Sequence, residues 1–340
     1  MGGQPGEADR LRDAVEAAAS KLATAPDVTL LGHVNPDADA LGSALALGRA
    51  LHLRGAKVRV SFGHPAETPR PLRDLDVDGL VVPASAVPAV PPVLVVCDSG
   101  SVDRLGRLAD RVDATIAAGG DVIVVDHHVS NTCYGTVRVV DETAEATVLI
   151  VLRLLDELGM HLDLPIARCL YAGLVTDTRS FRHVRPDTHR VAARLLEAGV
   201  DPDATPRTLM DTHPFGFLGM LSSVLGRAEL EPDSAQRLGL VHATVRREQC
   251  DGLRNEDLDS VIDIIRTANE AEVAAVLKEV EPDSWTVSLR ADSRVHVGQV
   301  ATACGGGGHR LAAGFTARGD EASVLAAIRE ALAAAPLLDG

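Results

Sequence analysis

Four short apolar runs punctuate the first half of the chain: "VTLL" at 28–31, "KVRVSF" at 57–62, "VLVV" at 93–96 and "VIVV" at 122–125. Each is too short for a helix; "VTLL", "VLVV" and "VIVV" lack strict alternation and read as strands buried on both faces, while "KVRVSF" alternates and reads as a second strand in chain order. Between and after them the period changes. "ADALGSALALGRALHLRG" has helical spacing and stops near Gly55, and a second helix is expected over 144–158. In "DLPIARCLYAGLVTDT" the apolar residues fall at 164, 166, 167, 170, 171, 174 and 175, the stripe of an amphipathic helix. Strands alternating with helices predict a parallel sheet covered by helices.

From about 187 to 235 the pattern is helical, with a turn-rich piece at "GVDPDATPRT", and reads as a connection. A second region begins near "RLGLVHATV" and continues with a helix around 257–269, strands "EVAAVLKEV" and "WTVSLRAD", a helix near 297–303, the run "GGGGH", and a last helix from about 320. The Ala/Pro-rich 83–92 is a loop, and no internal repeat appears. The expected class is therefore α/β: a parallel-sheet domain over 1–190, a helical connection over 191–235, and a smaller mixed α/β domain over 236–340.

Composition narrows the partners. With 340 residues, 46% of them hydrophobic and 24% charged, the chain can bury two real cores. The net charge of -15 argues against tracking long nucleic acid, whose binding is dominated by phosphate contacts. Aromatics at 2% argue against an extended base-stacking platform, so any nucleotide ligand should be short. The polar start "MGGQPGEADRLRD" lacks the apolar segment of a targeting signal, and the apolar stretch around 146–159 is broken by Arg153 and Asp156. Five scattered cysteines form no C-x-x-C pair and read as reduced residues of a cytoplasmic protein with no membrane partner.

The polar residues that follow the strands change the picture most. "GHVNPDADALGS" sets His33, Asp37 and Asp39 behind the first strand, Asp98 follows the third, and Asp126, His127 and His128 follow the fourth. In open parallel sheets that edge is where ligands bind. A fourth segment contributes Asp177, at the end of an apolar helix. Singly, each acid reads as a turn residue or a cap, and Asp39 can cap the helix behind it. Together, carboxylate oxygens and imidazoles suit divalent cations, and the two histidines tilt the choice from Mg2+ towards Mn2+. Two such ions can clamp the attacking and leaving oxygens of a phosphoryl displacement.

"HVNPDADALGS", "VCDSG", "VDHH" and "TDT", in that order, closely resemble the four motifs of the DHH phosphoesterase family, and "GGGGHRLAAG" (305–314) resembles the glycine-histidine motif of its associated C-terminal domain. The chain looks most similar to the nanoRNase and adenosine-3',5'-bisphosphate phosphatase branch, which includes actinobacterial cyclic-di-AMP phosphodiesterases. That resemblance implies an active site in the cleft between the two domains. It also implies one metal held by His33, Asp37 and Asp98, and another by Asp39, Asp98, His127 and Asp177, with Asp98 bridging. The ions would be two Mn2+, with Co2+ or Mg2+ as alternatives. Asp126 would orient a histidine ring, and His128 would face the substrate phosphate as donor or acid. Asn35 would contact phosphate or hold the turn.

The second domain is expected to grip the substrate. Gly306, Gly307 and Gly308 let backbone amides approach a phosphate or base, His309 adds a donor, and Arg290 and Arg294 match phosphate with paired hydrogen bonds. Two positions depart from the family pattern: Arg179 stands where motif IV usually continues with Gly, and Ala291 replaces a small hydroxyl residue. His52, His64, His161, His183, His189, His213, His242 and His296 show no ligand spacing and read as surface or packing residues. Trp285 reads as core or rim, and Tyr134 is left open. The leading expectation is a Mn2+-dependent hydrolase of cyclic-di-AMP, pApA, nanoRNA of 2–5 nucleotides or pAp. The alternatives are a manganese-dependent inorganic pyrophosphatase and a non-catalytic nucleotide-binding regulator. A homodimer is compatible with the apolar helix 144–158, which can pair two copies or pack on the sheet.

Overall fold

The computed structural model describes residues 7–182 and 184–338, so His183 and the first six residues lie outside it. The chain divides into two compact units, one ending at Thr212 and one starting at His213.

The first unit runs α1 (Glu7–Thr24), β1 (Asp27–Leu31), α2 (Ala38–Leu53), β2 (Lys57–Ser61), β3 (Val93–Cys97), α3 (Asp110–Ala117), β4 (Asp121–Asp126), β5 (Val137–Val140), α4 (Thr147–Glu157), α5 (Leu164–Asp177), α6 (Pro186–Glu197) and α7 (Ala204–Met210). Its strands form one sheet in the order β2-β1-β3-β4-β5, parallel throughout. The unbroken apolar runs are explained by burial on both faces. Leu30, Val95, Ile123 and Val125 pack against α1, α2, α4 and α5, while Leu31, Leu94, Val96, Val122 and Val124 pack against Leu105, Leu108 and Val112. Helix 144–158 covers this sheet: Val148, Ile150, Val151, Leu154 and Leu155 belong to the first core. The edge strand β5 went unread in the sequence because "VRVV" is only four residues long and buries only Val139 fully.

The second unit runs α8 (Phe215–Leu225), β6 (Glu229–Glu231), α9 (a tight turn, Ser234–Arg237), β7 (Leu240–Val245), α10 (Asn255–Asp259), α11 (Val261–Ile265), β8 (Val273–Glu281), β9 (Ser284–Ala291), α12 (Val297–Ala303), β10 (Gly307–Gly308), β11 (Ala312–Arg318) and α13 (Glu321–Ala333). Its sheet has the order β10-β11-β9-β8-β7-β6, with only β7 and β8 parallel. On β9, Trp285, Val287, Leu289 and Ala291 alternate into a core with α12 and α13. Trp285 is core, its indole N–H donating to the Gly319 carbonyl at 2.9 Å.

The stretch 191–235 is not a separate helical connection. Ala192 and Leu195 on α6 pack into the first core, the unit boundary falls at 212/213, and 229–231 is a strand paired with β7. Its two glutamates had masked the strand, as suits an exposed sheet edge. Among the described residues no helix is long and apolar enough to cross a membrane.

Candidate metal centre

The carboxyl ends of β1, β3 and β4 place their polar residues side by side, and α5 adds Asp177 from above the α2 face. His33, Asp37 and Asp98 have ligating atoms within 4.8 Å of one another, as do Asp39, His127 and Asp177. Asp98 faces both sets. Its Oδ2 lies 3.5 Å from His33 Nε2, and its Oδ1 lies 3.6 Å from His127 Nε2. His33 Nε2 is also 3.5 Å from Asp37 Oδ2, and His127 Nε2 is 3.5 Å from Asp177 Oδ2.

Those spacings are too long for good hydrogen bonds, yet they are near the separation of adjacent ligands around one cation, about 3 Å for bonds of about 2.1 Å. The imidazole orientations agree. His33 Nδ1 donates to the Val34 carbonyl at 2.8 Å, and His127 Nδ1 lies 3.1 Å from the Ala144 carbonyl, so both Nε2 atoms are turned towards carboxylates. Carbonyl-anchored Nδ1 with Nε2 facing the other donors is the usual posture of a metal-binding histidine. The donor set therefore fits hard or borderline divalent ions. Cys97, buried at the end of β3, adds no thiolate, since burial and then the neighbouring acids push its thiol up.

The remaining pair is arranged differently. His128 Nδ1 is 2.7 Å from Asp126 Oδ1, while Asn131 Nδ2 donates to Asp126 Oδ2 at 2.6 Å. Asp126, fully buried, thus holds the His128 ring with one oxygen while Asn131 steadies the other.

Without a cation the site is electrostatically frustrated. Burial works against a charged His33, but the attraction of the Asp37 and Asp98 carboxylates at its Nε2 outweighs it and raises the imidazole to about 10. Burial also opposes ionisation of Asp98, yet His33, His128 and His127 hold it well below the carboxylate range. Asp39 and Asp177 are pushed well above that range by burial first and then by neighbouring acids. Bound cations would replace these retained protons.

The local fold explains how so many acids are held. Asp37, not Asp39, caps α2, accepting from Ala40 N–H at 2.9 Å. Asp39 instead accepts from the Thr147 and Val148 amides at 2.7 and 2.9 Å, capping α4, whose own N-cap position is Ala146. Thr147 Oγ1 donates to Asp98 Oδ1 at 2.8 Å. A Cβ at Gly173 would stand 2.7 Å from Asp39 Oδ1, so only glycine lets α5 approach the carboxylate. Thr147 and Gly173 were missed in the sequence. The threonine opening a helix after Ala146 was the only signal for the first, and none marked the second.

Beyond Asp177 the chain ends α5 in a Schellman motif. The Arg179 and Ser180 amides bond the Thr176 and Val175 carbonyls at 3.1 and 2.8 Å. Arg179 occupies the left-handed position, φ +49°, that glycine fills without strain; for other residues it costs roughly 1 kcal/mol. Asn35 is also left-handed, its amide bonded to the His64 carbonyl at 2.7 Å, so it holds the turn through its backbone. Tyr134 Oη donates to the Ser99 carbonyl at 2.8 Å.

Apart from Asn35, the predicted substrate residues lie in the second unit. Arg290 is on β9, with one guanidinium nitrogen donating to the Leu289 carbonyl at 3.0 Å and a buried Nε that has no partner. Arg294 is exposed in the loop before α12, its backbone amide bonded to the Glu272 carboxylate. Gly306 and Gly308 serve the fold: a Cβ would come within 2.2 Å of the Gly314 oxygen at the first and 2.5 Å of Ala313 Cα at the second. Gly307 is open, with nothing within 4 Å of a Cβ, and His309 is exposed, its amide donating to the Ala312 carbonyl at 2.7 Å. Of Gly306, Gly307 and Gly308, Gly307 alone has open space where a Cβ would stand, and its backbone pairs with Gly314 across β10 and β11.

A parallel sheet whose edge carries this His/Asp constellation, followed by a mixed-sheet unit, defines the class. The chain belongs to the DHH family: the profile "DHH family, N-terminal domain" matches residues 27–174, and "DHHA1 domain" matches 240–335. It is 33% identical over 316 residues to the bifunctional oligoribonuclease and PAP phosphatase NrnA of Thermus thermophilus, covering 90% of each chain. It is 30% identical over 183 residues to a probable manganese-dependent inorganic pyrophosphatase of Deinococcus radiodurans, covering 51% of this chain and 55% of that one. Among solved structures, an exopolyphosphatase-related protein from Bacteroides fragilis shares the fold with a TM-score of 0.85 at 20% identity, covering 95% of this chain and 96% of the other.

Proposed function

We propose that the chain is a divalent-metal-dependent phosphoric ester hydrolase that cleaves short nucleotides (cyclic-di-AMP, pApA, nanoRNA of 2–5 nucleotides or pAp) to mononucleotides. The observation that carries this is Asp98, whose two oxygens face His33 and His127 at 3.5 and 3.6 Å within two abutting donor sets. His33, Asp37 and Asp98 would hold one ion, and Asp39, Asp98, His127 and Asp177 the other, with Mn2+ favoured by the imidazoles. When bound, such ions supply Lewis acidity to phosphoryl oxygens and lower the pKa of water. The thirty-three per cent relative named as an oligoribonuclease and PAP phosphatase supports the substrate class.

The protein's own residues divide the remaining work. His128, held at Nδ1 by Asp126, presents Nε2 as the donor or acid towards the leaving oxygen. Arg290, Arg294, His309 and Gly307, which leaves open space where a Cβ would stand, are assigned to the rest of the substrate, where guanidinium and imidazole donors match phosphate and base edges. Asn35 contacts phosphate through its exposed side chain while its backbone keeps the turn.

The test is release of nucleotide or phosphate from pApA, cyclic-di-AMP and pAp with Mn2+. Turnover of none of them would end this reading. A second reading, inorganic pyrophosphatase, is favoured by the relative from Deinococcus, although the DHHA1 match over 240–335 points to the nucleotide branch. Pyrophosphate in the same assay separates the two.

A further inference from the structure

Arg179 is the first residue past the cap of the helix that ends in Asp177. It and the next two residues, Ser180 and Phe181, are all left-handed, with φ of 49°, 57° and 66°. Strain of this kind, concentrated beside a reactive site, is a pointer to function. The turn is also clamped. The buried Thr178 hydroxyl donates to the Leu174 carbonyl at 2.6 Å and accepts from the Phe181 amide at 3.1 Å. The Phe181 ring packs 6.0 Å from Tyr171 and 5.7 Å from His189. The backbone therefore has little freedom to carry the Arg179 side chain away, and that side chain is half-buried.

Its charge is felt at the site. Asp37, Asp39, Asp98, Asp126 and Asp177 are all acids, while the Arg179 charge favours the ionised form of Asp177, two residues before it, and Arg104 opposes a charged His33. The end of α5 lies nearer solvent than the shared carboxylate: the Asp98 side chain is 4% exposed and that of Asp177 is 24%. Arg179, on the turn past Asp177 and next to the exposed Ser180, stands on this solvent side of the site.

We propose that Arg179 is a specificity-determining residue that binds the second, unhydrolysed phosphate of a nucleotide carrying two. This rests on the nucleotide-hydrolase reading above. A guanidinium can present two parallel N–H donors to such a phosphate, which neither glycine nor lysine reproduces.

The experiment compares wild type, Arg179→Gly and Arg179→Lys as full chains loaded with Mn2+, on pAp and on 3'-AMP, which lacks the 5'-phosphate. Losing a charge-assisted contact should raise KM for pAp about 10- to 100-fold in Arg179→Gly, with kcat and the KM for 3'-AMP unchanged and Arg179→Lys intermediate. Calorimetric affinity for Mn2+ should be unaltered, and Arg179→Gly should melt no lower than wild type, since glycine fits the turn. Equal KM shifts for both nucleotides, no shift, or losses that follow weakened Mn2+ binding would each overturn the assignment. If wild type hydrolyses neither nucleotide, the hydrolase reading fails. Calorimetric binding of pAp against 3'-AMP, in wild type and Arg179→Gly, then still decides the role of Arg179.

Discussion

The clustered acids make a specific prediction about pH in the absence of metal. Chelation with EDTA leaves His33 to hold its proton against Asp37 and Asp98, with a folded-state pKa of about 10 against an ordinary 6.5. A group whose pKa is raised on folding contributes stability that is complete below the unfolded value and is lost as pH rises through the folded one. Between pH 6.5 and 10 the folded state binds one proton more than the unfolded, so stability falls by up to 1.36 kcal/mol per pH unit. The whole window amounts to about 5 kcal/mol at most. Asp39 and Asp177, also raised, act in the same direction. For a domain of this size each kcal/mol moves the melting midpoint by roughly 2–4 °C.

The assay is a set of thermal melts of the chelated protein from pH 6 to pH 9, repeated with His33→Gln and with saturating Mn2+. The chelated wild type should lose stability across the series, and His33→Gln should flatten the slope. With Mn2+ the trend should reverse, because cation binding displaces the retained protons and strengthens as they leave. A chelated protein whose midpoint is flat or rises with pH, or a His33→Gln slope equal to wild type, would refute the account of the site as a proton-holding substitute for bound cations.

Two further outcomes follow from packing and hydrogen bonding. Gly173→Ala should destabilise the first unit by about 1–3 kcal/mol, because its Cβ meets both Asp39 Oδ1 and Val148 Cγ1 at 2.7 Å; denaturant midpoints would register it, and Mn2+ affinity should fall in parallel. Asp126→Asn replaces one acceptor by a donor facing either His128 Nδ1–H or the Asn131 amide; kcat should fall about 10- to 100-fold while Mn2+ affinity holds, and equal losses in both would show that Asp126 is itself a ligand.

The candidate ligands were legible in the sequence for one reason: a buried parallel strand is an unbroken apolar run, and its first polar residues stand at the sheet edge. His33, Asp98 and His127 could be placed that way. Asp177 could be placed because α5 carries its stripe to its last turn. Residues whose roles depend on how elements approach one another could not. Gly173 matters only because α5 crosses close to Asp39, and Thr147 only because the start of α4 comes to Asp98. The glycine run shows the same limit from the other side. Its spacing suggested open amides at Gly306, Gly307 and Gly308, but Gly306 is packed against Gly314 and Phe315, and Gly307 and Gly308 pair with β11, contacts no local pattern encodes.

Asp39 shows how far fold and site are one object. The N-terminus of α4 has an alanine where a capping side chain would stand, and the carboxylate that closes it comes from 108 residues earlier in the chain. The amides of that helix start, with the positive end of its dipole, offset part of the cost of burying Asp39 charged. The same carboxylate, having two lone pairs on each oxygen, keeps capacity for a cation beside Asp177 and His127. Removing Asp39 therefore unravels a helix terminus and a ligand set together, and lost activity in such a variant cannot be assigned to either alone. Asp177 differs: among the described residues its carboxylate receives no backbone amide hydrogen bond, so its contribution is to the ion set and to the charge that Arg179 meets.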